Sequence, residues 1–403
     1  MADDRFALVF THEDFINRTE QSVPLGTSRK VKWVLKMINA FQQEQIRKQS
    51  ENADFCRNLV YKPNEEMDFE ELNYELKYFF LSVRRQDGER YPPKTIYDIM
   101  TMLNYYLNND LEKKVNLFSD DRFKETIKAM NTSMKESSEA GLVSGLQKSS
   151  PISVEDEEIL WKAGVLGWNN PKQILNTAVF LLSIHTSVRG GKELRSWTYG
   201  RNSPFCLESR QGKEVLIYTE AHGKTYQGTV SCMRLDPPKP CVIHHNEDNH
   251  NRCAVCAFKR IVEGRPTNCS KDALFLKPLV KSEGKTLFAN QVVGVHGLAN
   301  VISTIMAGIP GRYTNQSARK TGPTRLYQGK VEEQIIQEQT RHRSLVVRQY
   351  KETSEEQLRE KSCVIYGTAS GETSTKDVQE SSTPKKMRIS IDGEKNTVEI
   401  TFT

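Results

Sequence analysis

Length, composition and charge already limit what this protein can be. The chain has 403 residues, enough for two or three domains with their own cores, and is 37% hydrophobic and 27% charged. It contains no apolar run approaching the roughly 20 residues that cross a bilayer, and its first residues lack the pattern of a signal peptide. Eight cysteines in a chain of this length predict reduced, intracellular thiols rather than a disulfide framework, and the formal net charge is +6.

The first third of the chain is predicted to be a small helical domain. Residues 1–28 are expected to be disordered, whereas apolar residues between Val31 and Phe41 recur at the spacing of one helix face. We therefore place a helical domain at residues 29–135. The serine-, lysine- and glycine-rich residues 136–151 predict a flexible linker after it.

Local start signals mark further helices in this domain. Asp68 is expected to cap one helix, the Pro92-Pro93 turn opens the next, and Ser119 is expected to cap another. The aromatic stripe Tyr74, Tyr78, Phe79 and Phe80 is more typical of a helical core than of a base-stacking surface.

The second domain, predicted at residues 152–351, has mixed structure. Ser153 is expected to cap its first helix, and the apolar run Ile174–Ile184 predicts a buried helix. A later helix is expected to end at Gly311. Strand-like segments lie between them, at residues 205–207, 215–218 and 229–233. The fold class predicted for the whole chain is mainly α with a small antiparallel β-sheet.

The stretch Gly311–Lys351 concentrates the positive charge of the protein. It contains nine basic and three acidic residues, so its formal charge is nine minus three, or +6, which equals the net charge of the whole chain. A local excess of this kind suits a polyanion better than a small substrate. The cations Arg312, Lys320, Arg325 and Arg343 are expected to contact such a partner.

Three residues of this stretch suit phosphoryl transfer from DNA to tyrosine: Arg319, His342 and Tyr350. A phenol is a weak nucleophile near neutral pH, because its pKa is about 10. It can attack a phosphodiester when cations hold the non-bridging oxygens and neutralise charge in the transition state. Arginine suits that task because its planar fork meets two phosphate oxygens at once.

The segments TNQSARKT, TRHRS and VRQYK resemble the C-terminal signature of tyrosine recombinases. They are most similar to the Crypton-type eukaryotic branch and its domesticated relatives, including the C-terminal domain of MYM-type zinc finger proteins. The resemblance covers residues 28–351. It implies a helical core-binding domain followed by a catalytic domain, which together clamp duplex DNA.

The resemblance also implies a role for each matching residue. Arg189, in the segment Arg189-Gly190-Gly191, and Arg319 are the two arginines that hold the phosphate, His342 assists, and Tyr350 is the nucleophile. Lys224 protonates the leaving 5′ oxygen, with Lys213 as the alternative. Taken singly, each residue also has a plain structural explanation, such as a solvated lysine or a packed tyrosine. Their order and spacing favour the catalytic interpretation.

Two positions depart from the family pattern. Gln316 stands where the family has a histidine, and Arg341 stands where it has a glycine. Glutamine can donate a hydrogen bond to a phosphate oxygen but cannot transfer a proton at neutral pH. Catalysis is therefore more affected by this departure than binding.

A metal site is the competing interpretation of one segment. Cys241, His244, Cys253 and Cys256 have the spacing C-x2-H-x8-C-x2-C, with His250 and Cys269 as spare ligands, and zinc favours four nitrogen or sulfur ligands. Against this, the segment RCAVCAFKRIVEGRP resembles a core helix of the family, in which a cysteine at the position of Cys253 needs no metal. We therefore expect no metal and no other cofactor.

The C-terminal part changes character. Residues 352–386 are rich in serine, threonine, glutamate and lysine, which predicts disorder. Residues 387–403 alternate around an Asp392-Gly393 turn, which predicts a β-hairpin. The basic cluster at residues 384–388 is compatible with a nuclear signal.

Together these observations predict a nuclear, double-stranded DNA-binding tyrosine recombinase that breaks and rejoins strands through a 3′-phosphotyrosine, in the manner of a transposable-element integrase. Self-association on DNA follows from the resemblance, and no membrane partner is expected. One alternative is a domesticated derivative that binds DNA or chromatin without cutting it. Another is an interaction protein organised by zinc.

Overall fold

The computed structural model describes residues 11–51, 66–142, 148–220, 239–281, 284–341, 345–366, 387–389 and 398–400. The chain divides into two compact units, Met1–Gln147 and Lys148–Thr403. The division falls within the segment predicted to be a linker. Each unit has its own hydrophobic core.

The first unit is helical over its described residues. Its helices are α1 (His12–Ser22), α2 (Leu25–Glu51), α3 (Phe69–Ser82), α4 (Pro93–Asn109) and α5 (Lys124–Glu139). The helices α1 and α2 both include residues from the segment predicted to be disordered, residues 1–28, of which residues 1–10 lie outside the described part. Helix α2 buries Val31, Val34 and Ile38 as the periodicity predicts.

The start signals of these helices are confirmed in two cases and wrong in one. Asp68 caps α3 in a capping box with Glu71, and α4 begins at the predicted proline pair. Ser119 is not a cap, because Asp120 beside it accepts a hydrogen bond from the backbone N–H of Arg122 and starts a short 3-10 turn before α5. Aspartate is a strong N-cap residue, and it begins the helical segment one residue later than predicted.

The second unit is larger and surrounds one buried helix. In chain order it contains α6 (Val154–Lys162), α7 (Pro171–Thr186), α8 (Gly191–Ser196), β1 (Phe205–Arg210), β2 (Lys213–Tyr218), β3 (Cys241–His244), α9 (Ala254–Glu263), β4 (Leu276–Pro278), β5 (Phe288–Val292), α10 (Val295–Ala299), α11 (Val301–Ile305), α12 (Asn315–Gln328), α13 (Glu333–Thr340), α14 (Glu355–Ile365), β6 (Met387–Ile389) and β7 (Val398–Ile400).

The described strands form three small antiparallel sheets. They pair in the orders β1-β2-β3, β4-β5 and β6-β7. The predicted class, mainly α with small antiparallel sheets, is confirmed. The predicted strand at residues 229–233 lies outside the described residues, and the strand β3 covers a segment that the sequence analysis considered only as a metal motif.

Helix α7 is the predicted buried helix. It is capped by Asn170, starts at Pro171, and buries almost every residue between Ile174 and Thr186. It packs against both α9 and α12. A helix that is apolar all round must be covered on all sides, so α7 fixes the elements around it.

Two predicted elements differ from the structure. The helix expected to end at Gly311 is two short helices, α10 and α11, separated at Asn300, whose backbone angles (φ −106°, ψ 5°) leave the helical range. Helix α14 lies inside the tail predicted to be disordered, and its N-cap Ser354 forms a capping box with Gln357. Residues 367–386 of that tail lie outside the described residues.

Among the described helices, none has the length and apolar character that a membrane span requires.

The adjacent residues Phe80 and Leu81 test the packing of the first unit. Phe80 is fully buried whereas Leu81 is 41% exposed, although both lie on α3. We expect Phe80→Ala to destabilise this unit by about 3–5 kcal/mol and Leu81→Ala by less than about 0.5 kcal/mol. Hydrogen exchange measured by mass spectrometry should show faster exchange in α3, α4 and α5 for Phe80→Ala only. Equal effects of the two substitutions would contradict the described core.

Candidate functional site

The site is built around the C-terminal end of α7. The last carbonyl groups of a helix have no partner within the helix. Here the residue after α7, Ser187, has a left-handed backbone (φ 50°, ψ 36°). Side chains from distant segments donate hydrogen bonds to the carbonyls that lack a partner within the helix. Such bonds run from Gln339 Nε2 to the His185 oxygen (3.0 Å), from Arg341 to the Thr186 oxygen, and from Arg319 to the Ser187 oxygen.

Gly190 allows the segment after α7 to approach α12. Its backbone has φ +95°, and a Cβ placed there would lie only 2.2 Å from Nδ2 of Asn315, the first residue of α12. Asn315 is held in place because its side chain donates to the Leu298 carbonyl (2.8 Å) and accepts from the Ile302 N–H (3.3 Å). Glycine is therefore required here for both its backbone angle and its lack of a side chain.

Arg189 lies directly before this close approach. Its guanidinium forms an ion pair with Glu193 (Nη1 to Oε1, 3.1 Å), and its backbone N–H donates to the same carboxylate (2.7 Å). The side chain is 34% exposed. Glu193, on α8, orients Arg189; the sequence analysis missed this residue, although its position four residues later in the chain is the spacing at which helical side chains meet.

Tyr350 is contributed by a segment more than 150 residues after Arg189. It ends a 3-10 turn at Leu345–Tyr350, and its carbonyl accepts a hydrogen bond from Thr324 Oγ1 on α12 (2.7 Å). The guanidinium carbon of Arg319 lies 5.4 Å from the centre of the Tyr350 ring. The side chains of Arg319 and Gln316 both act on the pKa of the Tyr350 phenol.

The surroundings of Tyr350 lower the pKa of its phenol. Burial alone would raise that pKa, but the hydrogen bond from Arg319, its positive charge, the hydrogen bond from Gln316 and the charge of Arg189 together outweigh burial. The pKa of Arg319 is lowered as well, by burial and by the charge of Arg189, while its bond to Tyr350 opposes the shift. An arginine stays protonated at neutral pH, so the site keeps its charge.

The structure thus brings together four of the residues that the sequence singles out. Arg189, Gln316, Arg319 and Tyr350 converge from the α7–α8 segment, from α12 and from the turn that follows α13. Gln316 and Arg319 share one face of α12 because they are three residues apart. Two guanidinium groups, an amide and a phenol in one place can hold an anion with several oxygens against a nucleophile.

Lys224, His342 and Arg343 lie outside the described residues. The alternative lysine, Lys213, begins β2 and pairs with Glu247 (2.9 Å). The other end of β2, about 16 Å away along the strand, is the end near the site. There the guanidinium carbon of Arg341 lies 4.5 Å from the centre of the Tyr218 ring, and its Nε lies 3.5 Å from the carboxylate of Glu220.

Arg341 has a structural role that the sequence analysis did not foresee. It occupies the position of the family glycine and keeps the left-handed backbone that glycine would favour (φ 56°). Its side chain is 4% exposed and joins Thr186 at the end of α7 to Glu220 after β2. A residue other than glycine is strained at this backbone angle, and the Arg341 guanidinium lies buried against a carboxylate and an aromatic ring.

The basic stretch does not form a uniformly basic surface. Among its eight cations within the described residues, six are in ion pairs with glutamates: Lys320 with Glu352, Arg325 with Glu157, Lys330 with Glu360, Arg341 with Glu220, and Arg348 and Lys351 with Glu333. Lys320 and Arg325, expected to contact a polyanion, are thus engaged within the fold. Arg312 is exposed.

The structure does not bring the predicted zinc ligands together as a set. Cys241 and His244 are the first and last residues of β3, where they oppose Tyr218 and Val215 of β2. An extended strand separates two such residues by about 10 Å. The buried thiol of Cys241 instead donates to the His185 carbonyl (3.5 Å) and accepts from Gln339 (3.0 Å), at the end of α7.

Two protein-family models match separate parts of the chain. A domain of unknown function, DUF3504, matches residues 151–307, and a QRICH1 domain matches residues 25–137.

Curated relatives include zinc finger MYM-type proteins of Homo sapiens. MYM-type protein 2 is 26% identical over 223 residues, and MYM-type protein 3 is 32% identical over 218 residues. Each match covers 52% of this chain and 16% of the relative, so the chain spans a small part of their length. The predicted resemblance to MYM-type zinc finger proteins is confirmed.

The solved structures to which the chain is similar include an integrase and a recombinase. The Tn1549 transposon integrase in complex with transposon right-end DNA has a TM-score of 0.44 at 13% identity, covering 87% of this chain and 96% of that one. XerA recombinase has a TM-score of 0.34 at 14% identity, covering 83% of this chain and 99% of that one.

The glycine at 190 can be tested against a matched glycine. Gly190 and Gly200 have similar positive φ values, +95° and +90°, but only at Gly190 would a Cβ meet Asn315. We expect Gly200→Ala to lose about 1–2 kcal/mol from backbone strain alone, and Gly190→Ala to lose about 1–3 kcal/mol more from overpacking. Urea unfolding of both variants measures the difference. Equal losses would show that Gly190 and Asn315 are not in contact.

Proposed function

We propose that this protein is a DNA strand-breaking and rejoining enzyme of the tyrosine recombinase type, with Tyr350 as its nucleophile. The observation that carries this proposal is the position of the Tyr350 ring, whose centre lies 5.4 Å from the guanidinium carbon of Arg319, with Gln316 and Arg189 also acting on the pKa of its phenol. These residues are the ones that the resemblance assigns to the active site. The substrate class is double-stranded DNA.

The proposed reaction exchanges one phosphodiester for another. Tyr350 Oη attacks the phosphorus, the bond to the 5′ oxygen breaks, and a 3′-phosphotyrosine forms as the phenol loses its proton to solvent. The 5′ oxygen leaves as a hydroxyl after it accepts a proton, for which we propose Lys224. A 5′ hydroxyl from another strand then attacks the phosphotyrosine and releases Tyr350. Because each step conserves a phosphodiester, the reaction requires neither a nucleotide nor a metal.

The surroundings of Tyr350 favour this chemistry in two ways. A lowered phenol pKa increases the fraction of nucleophilic phenolate at neutral pH. Two arginines can also neutralise the charge that builds on the non-bridging oxygens as the phosphorus becomes five-coordinate. Arg319 is preorganised for this because it is 4% exposed and donates to the Ser187 carbonyl. We assign His342 an assisting role at the same phosphate.

Gln316 supports a second candidate, a DNA- or chromatin-binding protein that retains the site but does not cut. The family histidine at this position can carry a proton, whereas an amide can only hydrogen-bond. In both candidates the partner is duplex DNA, and we propose a nuclear location and self-association on DNA.

Covalent trapping tests which candidate is correct. The purified chain would be mixed with a pool of nicked duplexes that includes the DNA flanking its own gene, and adducts would be read by denaturing gel and mass spectrometry. We expect an adduct on Tyr350 that is absent in Tyr350→Phe. Tyr327→Phe is the matched control, since Tyr327 is also partly buried next to a cation, at 5.4 Å from Lys351, and should leave the adduct unchanged.

Substitution of Gln316 sharpens the same experiment. We expect Gln316→His to increase the adduct yield, because histidine adds a group that can transfer a proton. If neither the natural chain nor Gln316→His forms an adduct, while both bind duplex DNA as tightly as Tyr350→Phe does, the result contradicts a strand-breaking enzyme and favours the non-cutting alternative.

A further inference from the structure

A second cluster of reactive side chains lies at the other end of the sheet, between β3 and α9. The ligating atoms of His245, His250 and Cys256 all lie within 4.8 Å of one another. Cys256 Sγ is 3.2 Å from His245 Nε2, and the rings of His245 and His250 have centres 4.9 Å apart. Two imidazoles and a thiol have converged from three consecutive elements.

Cys253 adds a fourth side chain to this cluster. It is fully buried and lies at the N-cap of α9, three residues before Cys256. Its Sγ also accepts hydrogen bonds from the backbone N–H groups of Asn246 (3.3 Å) and Cys256 (3.5 Å). Cys253 also caps the ten-residue helix α9, so its Sγ lies at the start of that helix, where Cys256 also lies.

We propose that His245, His250, Cys253 and Cys256 bind one zinc ion. The spacing is H-x4-H-x2-C-x2-C, and the ligand set is two nitrogens and two sulfurs, which suits tetrahedral zinc. The set shares only Cys253 and Cys256 with the one that the sequence predicts. It replaces Cys241 and His244, which lie at opposite ends of β3 and bond elsewhere or face solvent.

The position at which β3 ends decides which side chains can reach the start of α9. A four-residue strand keeps Cys241 and His244 apart, whereas the chain leaves the strand after His244 and turns at Glu247 and Asp248. This turn and the 3-10 turn at His250–Arg252 bring His245 and His250 back to the start of α9. A helix start also places two cysteines three residues apart on one face, as a zinc-binding pair requires.

The proposed zinc has a structural role. Four protein ligands complete a tetrahedral site and leave no position for substrate. The ion would join the end of β3 to α9, the helix that packs against α7. It would lie at the His244 end of β3, whereas the Cys241 end contacts the carbonyl of His185 beside the candidate active site. This inference does not depend on the proposed function.

Metal analysis of the whole chain, purified under reducing conditions without chelator or histidine tag, tests the proposal. We expect about one zinc per chain, removed by a chelator together with a fall in the thermal midpoint that zinc restores and magnesium does not. Replacement with Co²⁺ should give the visible bands of a tetrahedral ion and a thiolate charge-transfer band. A chain that contains no zinc and gives no such bands on Co²⁺ addition would overturn the proposal, whether its cysteines are thiols or a Cys253–Cys256 disulfide.

Each proposed ligand can be compared with a residue of the same type outside the proposed site: His245 with His244, and Cys256 with Cys206. His245→Ala and Cys256→Ser should lose the zinc, whereas His244→Ala and Cys206→Ser should retain it, because His244 and Cys206 are exposed side chains of β3 and β1. His250→Ala removes an exposed ligand, so it should fold even where Cys256→Ser does not, and should weaken zinc binding by tenfold or more. Equal zinc loss in His244→Ala and His245→Ala would overturn this ligand set.

Discussion

The unpaired carbonyl groups at the end of α7 are the constraint on which the candidate active site depends. A buried helix end must find donors for these oxygens, and this chain supplies them from Arg319, Gln339 and Arg341. The same bonds fix α12 and the end of α13 against α7. Arg319 therefore both completes the helix end and presents its guanidinium to Tyr350, so fold and site share one set of contacts.

Several ion pairs in this protein join residues that are far apart in the sequence. Counting residues between Gly311 and Lys351 predicts a basic surface, but Arg325 pairs with Glu157, more than 160 residues earlier. Local sequence could not reveal that pairing, because it depends on how α6 packs beside α12. The ordered motifs were more informative, since the convergence of Arg189, Arg319, Gln316 and Tyr350 follows from residue types and order.

Elements with strong local signals were predictable, and elements set by tertiary contacts were not. The capping box at Asp68 and the apolar run of α7 each contain enough local information to define a helix. The break at Asn300 between α10 and α11 has no glycine or proline at that position to mark it in the sequence. The short strand β3 forms by pairing with β2, which lies more than 20 residues earlier in the chain. The spacing of cysteines and histidines around β3 is visible in the sequence, but which of these side chains lie together depends on where that strand ends.

The most direct test of the central claim is the pKa of Tyr350 itself, measured by NMR on the chain labelled with ¹³C at tyrosine Cζ and assigned with Tyr350→Phe. We expect a value below the ordinary tyrosine pKa of about 10, because cations and hydrogen-bond donors outweigh burial. Gln316→Ala should raise it, whereas Gln328→Ala, on the same helix but bonded to the Glu352 carbonyl, should not. A pKa at or above the ordinary value, unchanged by Gln316→Ala, would contradict the convergence of these residues on the phenol.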